Sequence, residues 1–205
     1  MSRVVKKSEE RKDELLEIAI KIFMEKGYDN TSIKDIYAEA NGSIGMFYHH
    51  FGSKEEIFEA AMDKYTDLFV EKVAEILLNK EVPYTERYRM VLYHWIGLVN
   101  GRGRVSGTQH DKNVFRVLSG KMLSGSINPV KLYIDEGVDK GLVKTNDSHK
   151  SAIVLVYGIF GLINEERNNN YLNNERTLSI FNGVSKIISL LLDADESDFS
   201  FAEKE

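Results

Sequence analysis

The chain contains no cysteine and only two prolines among its 205 residues. Without cysteine, a disulfide scaffold, a thiolate zinc site, an iron–sulfur site and a cysteine nucleophile are all excluded. So few prolines argue against an all-β architecture, because the many turns of such a fold usually need more. The formal net charge of −5 excludes a wholly basic protein that coats nucleic acid, but it permits a local basic contact patch.

Long apolar runs are also missing. The longest, residues 152–163, is about half of the roughly 20 residues that cross a bilayer, and it lies between Lys150 and Glu165. We interpret this run as a fully buried helix and expect no membrane partner. The N-terminal residues lack the apolar stretch of a secretory signal, so we expect a cytoplasmic protein.

Apolar residues do recur at helical spacing along most of the chain. The first such stripe ends at Lys26-Gly27, a typical helix stop, and consists of Leu15, Ile18, Ala19, Ile22 and Phe23. With 42% hydrophobic and 29% charged residues, the composition is that of a globular protein. No convincing strand is found, so we predict an all-α fold of about nine helices.

Turn and cap residues predict where the later helices begin and end. Asn128-Pro129 is expected to begin a helix, as an N-cap followed by proline at the first helical position. Gly141-Leu142 is expected to end that helix in a Schellman motif. Residues 178–191 predict a last helix, and the acidic tail at 193–205 is expected to be frayed.

Two short helices are predicted after the first one. Residues 32–40 begin with the spacing of a capping box, and Ser43 can cap a second helix over 44–50. Asn41-Gly42 lies between them as a tight turn, in which Asn or Gly tolerates a positive φ. A second capping box at residues 53–56 opens a long helix.

These elements have the dimensions of a helix-turn-helix, whose second helix fits the major groove of DNA. Gly45 would let the backbone approach DNA closely. Ser43, Tyr48, His49 and the amide end of the next helix at Lys54 are candidate phosphate donors. The alternative is that the two short helices only connect parts of a bundle.

A longer pattern runs through these helices: Thr31-Ser-Ile-Lys-Asp-Ile, then Ala40, then Ser43-x-Gly45-x-x-Tyr48-x-His50-Phe51-x-Ser53-Lys54-Glu55-x-Ile57. It resembles the signature of tetracycline-repressor (TetR) family transcriptional regulators. The resemblance implies an all-helical homodimer with a DNA-binding domain at 8–60 and an effector-binding and dimerisation domain at 61–205. It implies a repressor released from double-stranded operator DNA by a small ligand. The DNA contacts would be Thr31, Ser43, Ile44, Gly45, Met46, Tyr48, His49 and Lys54.

The chain departs from the family pattern at three places. It has Ala40-Asn41-Gly42 where Ala-Gly-Val is usual, which removes a core contact of the valine. Tyr37 stands where the family usually has Ala, so the packing of the two short helices must be adjusted. Ile44 stands where Lys or a polar residue is common, so it would read DNA by apolar contact with a thymine methyl. A helical dimer that has lost DNA binding is therefore a further hypothesis.

Charge is unevenly distributed over the first 60 residues, which hold nine basic and twelve acidic side chains. Five of the basic residues lie at positions 3–12, and residues 40–54 contain no acid. Local sign matters more than the total within a Debye length of about 8 Å. We therefore expect few phosphate pairs and a modest salt dependence.

The aromatic residues of the C-terminal part predict a largely apolar effector pocket with a few polar handles. The candidate lining residues are Tyr65, Phe69, Tyr88, His94, Trp95, Phe115 and Tyr157. For any single aromatic, an ordinary core position is the alternative. The predicted effector is a flat or lipophilic organic molecule.

The predicted dimer interface rests on the helix over residues 148–168, which is apolar on every side between 152 and 163. Gly158 and Gly161 would let a partner helix approach closely, and Phe181 and Ile188 on the last helix would complete a twofold four-helix interface. Such a dimer would set its recognition helices about 34–36 Å apart.

Catalysis is not expected. Adjacent side chains such as His49-His50 point about 100° apart on a helix and do not converge on one metal ion. His110-Asp111 has no accompanying serine motif, and Glu165-Glu166 lacks the Glu-x-x-His spacing. Gly101-Arg-Gly-Arg is not preceded by a strand, as a phosphate loop would be. We predict no catalytic residue, no metal and no cofactor.

Overall fold

The computed structural model describes residues 8–101, 109–167 and 173–199. Within those ranges the chain is helical and has no strand, which confirms the all-α prediction. Eight helices of two turns or more are followed by a single-turn helix. They are α1 (Ser8–Lys26), α2 (Ile33–Glu39), α3 (Ile44–His50), α4 (Lys54–Leu78), α5 (Tyr84–Gly101), α6 (Gln109–Asp139), α7 (Ser148–Arg167), α8 (Asn174–Leu191) and α9 (Glu196–Phe199).

The chain forms two compact units. The first comprises residues 1–68 and 104–120, and the second comprises residues 69–103 and 121–205. The first unit therefore holds all of α1, α2 and α3, and the second holds all of α5, α7, α8 and α9. The proposed domain boundary after residue 60 stays a prediction.

The core of the first unit is built on the apolar stripe of α1. Four of its five predicted members are buried, and Ile18 is partly buried against them. The buried residues of this core include Leu15, Ala19, Ile22, Phe23, Ile36, Phe47, Phe51 and Ile57. Helix α1 stops where predicted, because Gly27 has a φ of 79° and donates its amide to the Phe23 carbonyl over 2.9 Å.

The capping box of α2 is present as predicted. The Ser32 amide donates to the Asp35 carboxylate over 2.8 Å, and the Asp35 amide donates to the Ser32 hydroxyl over 3.2 Å. Hydrogen bonds from the Ser32 side chain and backbone lower the pKa of Asp35 to about 2. The second box differs in one partner, because the Glu56 carboxylate accepts from the Gly52 amide (2.6 Å) instead of from Ser53.

Helix α6 corrects the prediction that a helix begins at Asn128-Pro129. Pro129 lies inside one helix of 31 residues, although proline lacks the amide for a hydrogen bond to residue 125. Residues on both sides of Pro129 are buried in the second unit, among them Leu123 and Tyr133. This packing outweighs the local cost of proline. The helix ends as predicted, with Gly141 at a φ of 69° and a hydrogen bond from the Leu142 amide to Gly137.

The start of the acidic tail is ordered, in contrast to the predicted fraying. Phe199 is buried, and its ring packs on those of Tyr84 and Tyr88. Its backbone carbonyl accepts hydrogen bonds from the hydroxyls of Tyr88 and Ser185. One apolar side chain among acids is enough to dock α9 when it finds an aromatic site.

A buried arginine joins three segments of the second unit. Arg87 is 1% exposed and donates to the carbonyls of Leu77 (3.1 Å) and Val82 (2.8 Å). It also forms an ion pair of 2.8 Å with Glu136. Burial alone would raise the pKa of Glu136, but contacts with Arg87 and Lys140 lower it. The end of α4, the start of α5 and the end of α6 are thereby tied together.

Candidate functional site

The turn between α2 and α3 has the conformation that its sequence predicts. Asn41 has a φ of 49°, a left-handed conformation that asparagine tolerates better than most residues. The Gly42 amide donates to the Tyr37 carbonyl over 2.8 Å, and the Asn41 amide donates to Ala38 over 3.0 Å. These two bonds form a Schellman motif, which ends α2 sharply, and α3 begins at Ile44, two residues after Gly42.

Helix α3 presents one face to solvent and one to the core. Ile44 and Tyr48 are 56% and 53% exposed, and Gly45 and His49 are exposed beside them. On the opposite side, the side chain of Phe47 is buried, with 0% of its surface exposed. Four of the predicted DNA contacts thus lie together on the exposed face of a short helix that the core anchors from behind. Their role as contacts stays a prediction.

Three other predicted contacts flank this face or lie away from it. Ser43 is exposed, and its hydroxyl caps α3 by accepting from the Met46 amide over 3.3 Å. The Lys54 ammonium lies 4.1 Å from the centroid of the Tyr28 ring. Thr31 is buried, and its hydroxyl donates to the Gly27 carbonyl over 2.7 Å. The Thr31 side chain therefore closes the end of α1 and offers no exposed surface.

Met46 faces the turn rather than the exposed face of α3. Its sulfur accepts a hydrogen bond of 3.0 Å from the Nε of Arg11 on α1. A Cβ atom added at Gly42 would lie 2.7 Å from that sulfur. The thioether therefore occupies the space beside Gly42. It fills the place of the core contact that the valine of the family pattern would make at position 42.

Lysines of α1 pair with the acids of α2. Lys21 Nζ lies 3.2 Å from the Glu39 carboxylate, and Lys26 Nζ lies 3.5 Å from the Asp35 carboxylate. Such exposed pairs add little stability, but they place a cation next to each acid. Both acids of α2 are therefore paired with a lysine of α1.

Basic groups lie close to the end of α3. Burial lowers the pKa of His50, and the nearby His49, Lys12 and Arg11 lower it further. Lys12 Nζ is 5.7 Å from the centroid of the Phe51 ring. His50 is therefore expected to be neutral at pH 7, and Lys12 and Arg11 of α1 are the cations close to it.

The second unit contains a small apolar cavity of about 60 Å³. It is lined by Leu77, Tyr88, Val91, Leu92, Trp95, Val130, Tyr133, Leu155, Val156, Ile159 and Ile188. Tyr88 and Trp95 thus lie where the sequence analysis expected pocket residues. Val130 and Tyr133 also line the cavity, and the sequence pattern did not single them out as pocket residues.

Four other predicted pocket residues, Tyr65, Phe69, His94 and Tyr157, are not among those that line this cavity. Phe69 is buried and stacks on His94 at 4.6 Å between ring centroids, and its ring edge meets Trp95 at 5.1 Å. Burial lowers the pKa of His94. Tyr157 is 48% exposed. Tyr65 belongs to the first unit, and the side chain of Phe115 lies outside the described residues.

The apolar helix α7 is buried on one side in the single chain, so its full burial depends on the predicted partner helix and stays a prediction. Ala152 and Ile163 are buried, but an exposed stripe runs along the other side. The stripe consists of Val154, Tyr157, Gly158 and Gly161. A Cβ added at either glycine would meet nothing within 4 Å. We call these four residues the α7 stripe.

The two interface residues predicted on α8 are buried within the chain instead. Phe181 is 2% exposed and its ring meets that of Tyr93, whereas Ile188 is 5% exposed and lines the cavity. Their stripe on α8 faces the core of the second unit, so their side chains offer almost no surface to a partner. The exposed apolar residues of α8 are Leu178 and Leu190.

The residues considered for catalysis are placed only in part. His49 and His50 have ring centroids 4.8 Å apart. The side chains of His110, Asp111 and Glu166 and residues 102–104 lie outside the described ranges. Among the residues that are described, no group of three or more His, Asp or Glu side chains is placed to hold a metal ion. No helix in that part of the chain has the length and apolarity to span a membrane.

Comparisons with known proteins agree on the nature of the first unit. Residues 15–61 match the family model described as bacterial regulatory proteins, tetR family. The biofilm operon negative transcriptional regulator IcaR of Staphylococcus epidermidis is 35% identical over 60 residues, 29% of this chain and 32% of IcaR. The transcriptional repressor KstR2 of Mycobacterium tuberculosis is 35% identical over 77 residues, 38% of each chain. The chain thus spans about a third of the length of these curated relatives.

Solved structures extend the likeness to the whole fold. A TetR-family transcriptional regulator from Mesorhizobium loti superimposes with a TM-score of 0.71 over 91% of this chain and 98% of its own, at 16% identity. Fold and site together define an all-α protein with an N-terminal helix-turn-helix. Residues 15–61 match the DNA-binding domain of the tetR family of bacterial regulatory proteins, in agreement with the resemblance seen in the sequence signature.

Proposed function

We propose that this protein is a transcriptional repressor that binds double-stranded operator DNA through α2 and α3 and leaves it when a small effector binds. One observation carries the proposal: a capped seven-residue helix, α3, exposes four adjacent residues while Phe47 anchors it to the core. The relatives IcaR and KstR2 are a negative regulator and a repressor by name, which supports repression.

In the proposed complex, the exposed face of α3 enters the major groove. Gly45 has no neighbouring atom nearer to an added Cβ than the Ser43 hydroxyl at 3.9 Å, so the backbone there can approach the bases. Ile44 would contact a thymine methyl. The Tyr48 hydroxyl and the Lys54 ammonium would bind phosphates, contacts that orient the protein without reading sequence.

The α7 stripe is the proposed site of dimerisation. It combines two large exposed apolar side chains with two glycines over which a partner helix can approach. A twofold dimer would present two copies of α3 to successive major grooves, about 34–36 Å apart. In this proposed interface, α8 contributes its exposed residues Leu178 and Leu190 instead of the buried Phe181 and Ile188.

The proposed effector site is the cavity that Tyr88 and Trp95 line. Its volume leaves room for only a few water molecules, since one water needs roughly 10–15 Å³. A larger apolar effector would therefore have to push the surrounding helices apart. Such an effector weakens DNA binding only if it binds the DNA-free arrangement more tightly.

Selection of bound sequences from a random duplex pool tests the proposal directly. The purified chain should enrich one motif with twofold symmetry, and the enriched duplex should bind more tightly than a scrambled one. Compounds are then screened for release of that duplex, with Trp95→Ala as the variant whose dose–response should shift. A chain that enriches no sequence would instead be a ligand-binding dimer without DNA binding, and the proposal would be wrong.

A further inference from the structure

Three segments of the first unit meet at the guanidinium of Arg11. Arg11 of α1 donates from Nε to the Met46 sulfur over 3.0 Å and from Nη2 to the Ala40 carbonyl over 3.1 Å. Its Nη1 pairs with Glu14 on the same helix. One guanidinium therefore binds the end of α2 and the side chain of α3 at once, while its own position is fixed by a carboxylate.

Gly42 is the residue that makes room for this contact. A Cβ at position 42 would lie 2.7 Å from the Met46 sulfur, closer still to its methyl group, and 3.3 Å from the Tyr37 carbonyl oxygen. The methionine end is flexible and could move aside at small cost, but it would then leave the Arg11 guanidinium. A side chain at position 42 and the Arg11–Met46 contact therefore exclude each other.

A helix of two turns needs more than one anchor to have a fixed orientation. Phe47 anchors α3 to the core together with Phe51 just after the helix, and a second anchor on another side of the helix defines rotation about its axis further. Met46 is the preceding residue and projects about 100° away around that axis. The two contacts together therefore fix which residues of α3 face outward.

We infer that Arg11 and Met46 are positioning residues that set the rotation of α3 against α1, and thereby the base sequence that the exposed face of α3 reads. The inference rests on the proposed DNA binding and adds a determinant of specificity to it. The two side chains contact each other within the first unit, so the effect expected of them is on which sequence is preferred. Gly42 is required because it leaves space for the methionine.

Four variants test the inference: Met46→Ala, Met46→Leu, Gly42→Ala and the control Lys12→Gln. Met46→Ala and Gly42→Ala should each lower the ratio of operator to scrambled-duplex affinity roughly tenfold, within the range of couplings between residues in contact. Met46→Leu keeps most of the packing and should retain more of that ratio. Lys12→Gln removes a neighbouring charge and should weaken both duplexes alike.

The preferred sequence is the readout that a purely structural role would not change. Selection from a random duplex pool should give Met46→Ala an altered or broadened motif, while its affinity for scrambled duplex stays within about twofold of wild type. Thermal unfolding and far-UV circular dichroism check the fold of each variant. If Met46→Ala is unfolded, Gly42→Ala carries the test, because the atoms that its added methyl group would meet within 3.0 Å all belong to the flexible end of Met46.

The outcomes separate two failures. If the wild-type chain enriches no duplex, the proposed function itself is wrong. If the wild type enriches a motif and the folded Met46→Ala and Gly42→Ala variants enrich the same motif with the same affinity ratio, the positioning role of Arg11 and Met46 is wrong and the proposed function stands.

Discussion

Helices α2 and α3 differ from α6 in what stabilises them. The first two have seven residues each, and each begins at a serine whose hydroxyl accepts a hydrogen bond from the backbone three residues later. Helix α6 has 31 residues and continues through Pro129. A short helix makes few internal hydrogen bonds, so its caps are a large part of its stability. A long helix packed along its length depends on burial instead.

The two units differ in the same respect, the first relying on contacts between residues close in sequence and the second on contacts between distant ones. In the first unit, hydrogen bonds between residues close in sequence cap both ends of α2. Helix α3 follows after a tight turn, and one of its faces is exposed to solvent. In the second unit, buried side chains such as Arg87 and Phe199 join segments far apart in sequence. The first arrangement suits a surface that must keep one shape, and the second suits a body in which a cavity can open.

The largest effect is expected from removing the buried contacts of Arg87 in the second unit. Arg87→Met leaves Glu136 without its buried partner and removes the donor for two carbonyls, which should lower the free energy of unfolding by about 3–5 kcal/mol. Urea denaturation measures the change. Lys144→Ala is the matched control, since its pair with Asp193 is exposed and should contribute almost nothing. A loss no larger for Arg87→Met than for the control would contradict the role given to Arg87.

A change on the exposed face of α3 should abolish DNA binding and leave the free energy of unfolding nearly unchanged. Gly45→Glu places a carboxylate on the exposed face of α3, where an added side chain meets no atom nearer than 3.9 Å. Repulsion from phosphates should weaken operator binding by about a hundredfold or more. Titration of labelled operator measures this. Gly97→Glu makes the same change at an exposed, uncrowded glycine of α5. Undiminished binding by Gly45→Glu would remove the helix-turn-helix interpretation.

The accuracy of prediction from sequence follows the division between local and distant contacts. The capping box of Ser32, the left-handed Asn41 and the helix stop at Gly27 were all predicted, because each depends on residues within a few positions. The continuous α6 and the docking of Phe199 were not. In both cases a local signal, a proline or a run of acids, is outweighed by packing against residues that lie far away in the sequence.

The candidate sites divide in the same way. The exposed positions of α3 follow from the 3.6-residue period once Phe47 is taken as the anchor. The burial of Phe181 and Ile188 could not be predicted, because periodicity shows that α8 has an apolar stripe but not which neighbour the stripe faces. The place of Met46 depended on a glycine four residues earlier and an arginine on another helix, a combination that no single motif contains.

The α7 stripe sharpens the comparison, because it is an apolar surface of the second unit that the core of this unit leaves exposed. Gly161→Arg adds a long cation where nothing lies within 4 Å in the single chain, so folding should be preserved. In the proposed dimer the same side chain meets the partner helix, and the dimer should weaken by at least about tenfold through loss of close packing. Sedimentation at micromolar concentrations measures the change, with Gly97→Arg as the matched control. A stable wild-type monomer would contradict the interface.

The smallest effect is expected at the cap of α2, and its dependence on pH identifies the cause. Ser32→Ala removes the capping hydroxyl and should lower the free energy of unfolding by about 1 kcal/mol at neutral pH. Asp35 has a folded pKa of about 2, below the ordinary value of 3.8, so its bonds to Ser32 stabilise the fold fully above pH 4.

This stabilisation is lost as the pH falls through about 2, where Asp35 becomes protonated in the folded chain. The difference between wild type and Ser32→Ala should therefore be constant above pH 4 and shrink between pH 4 and 2. Urea denaturation across that range measures it, and the cap at Ser43 provides the comparison. The cap at Ser43 has no carboxylate partner, so the loss of unfolding free energy in Ser43→Ala should not change with pH in the same way. A difference for Ser32→Ala that is unchanged at pH 2 would mean that the capping box is not what holds α2 in place.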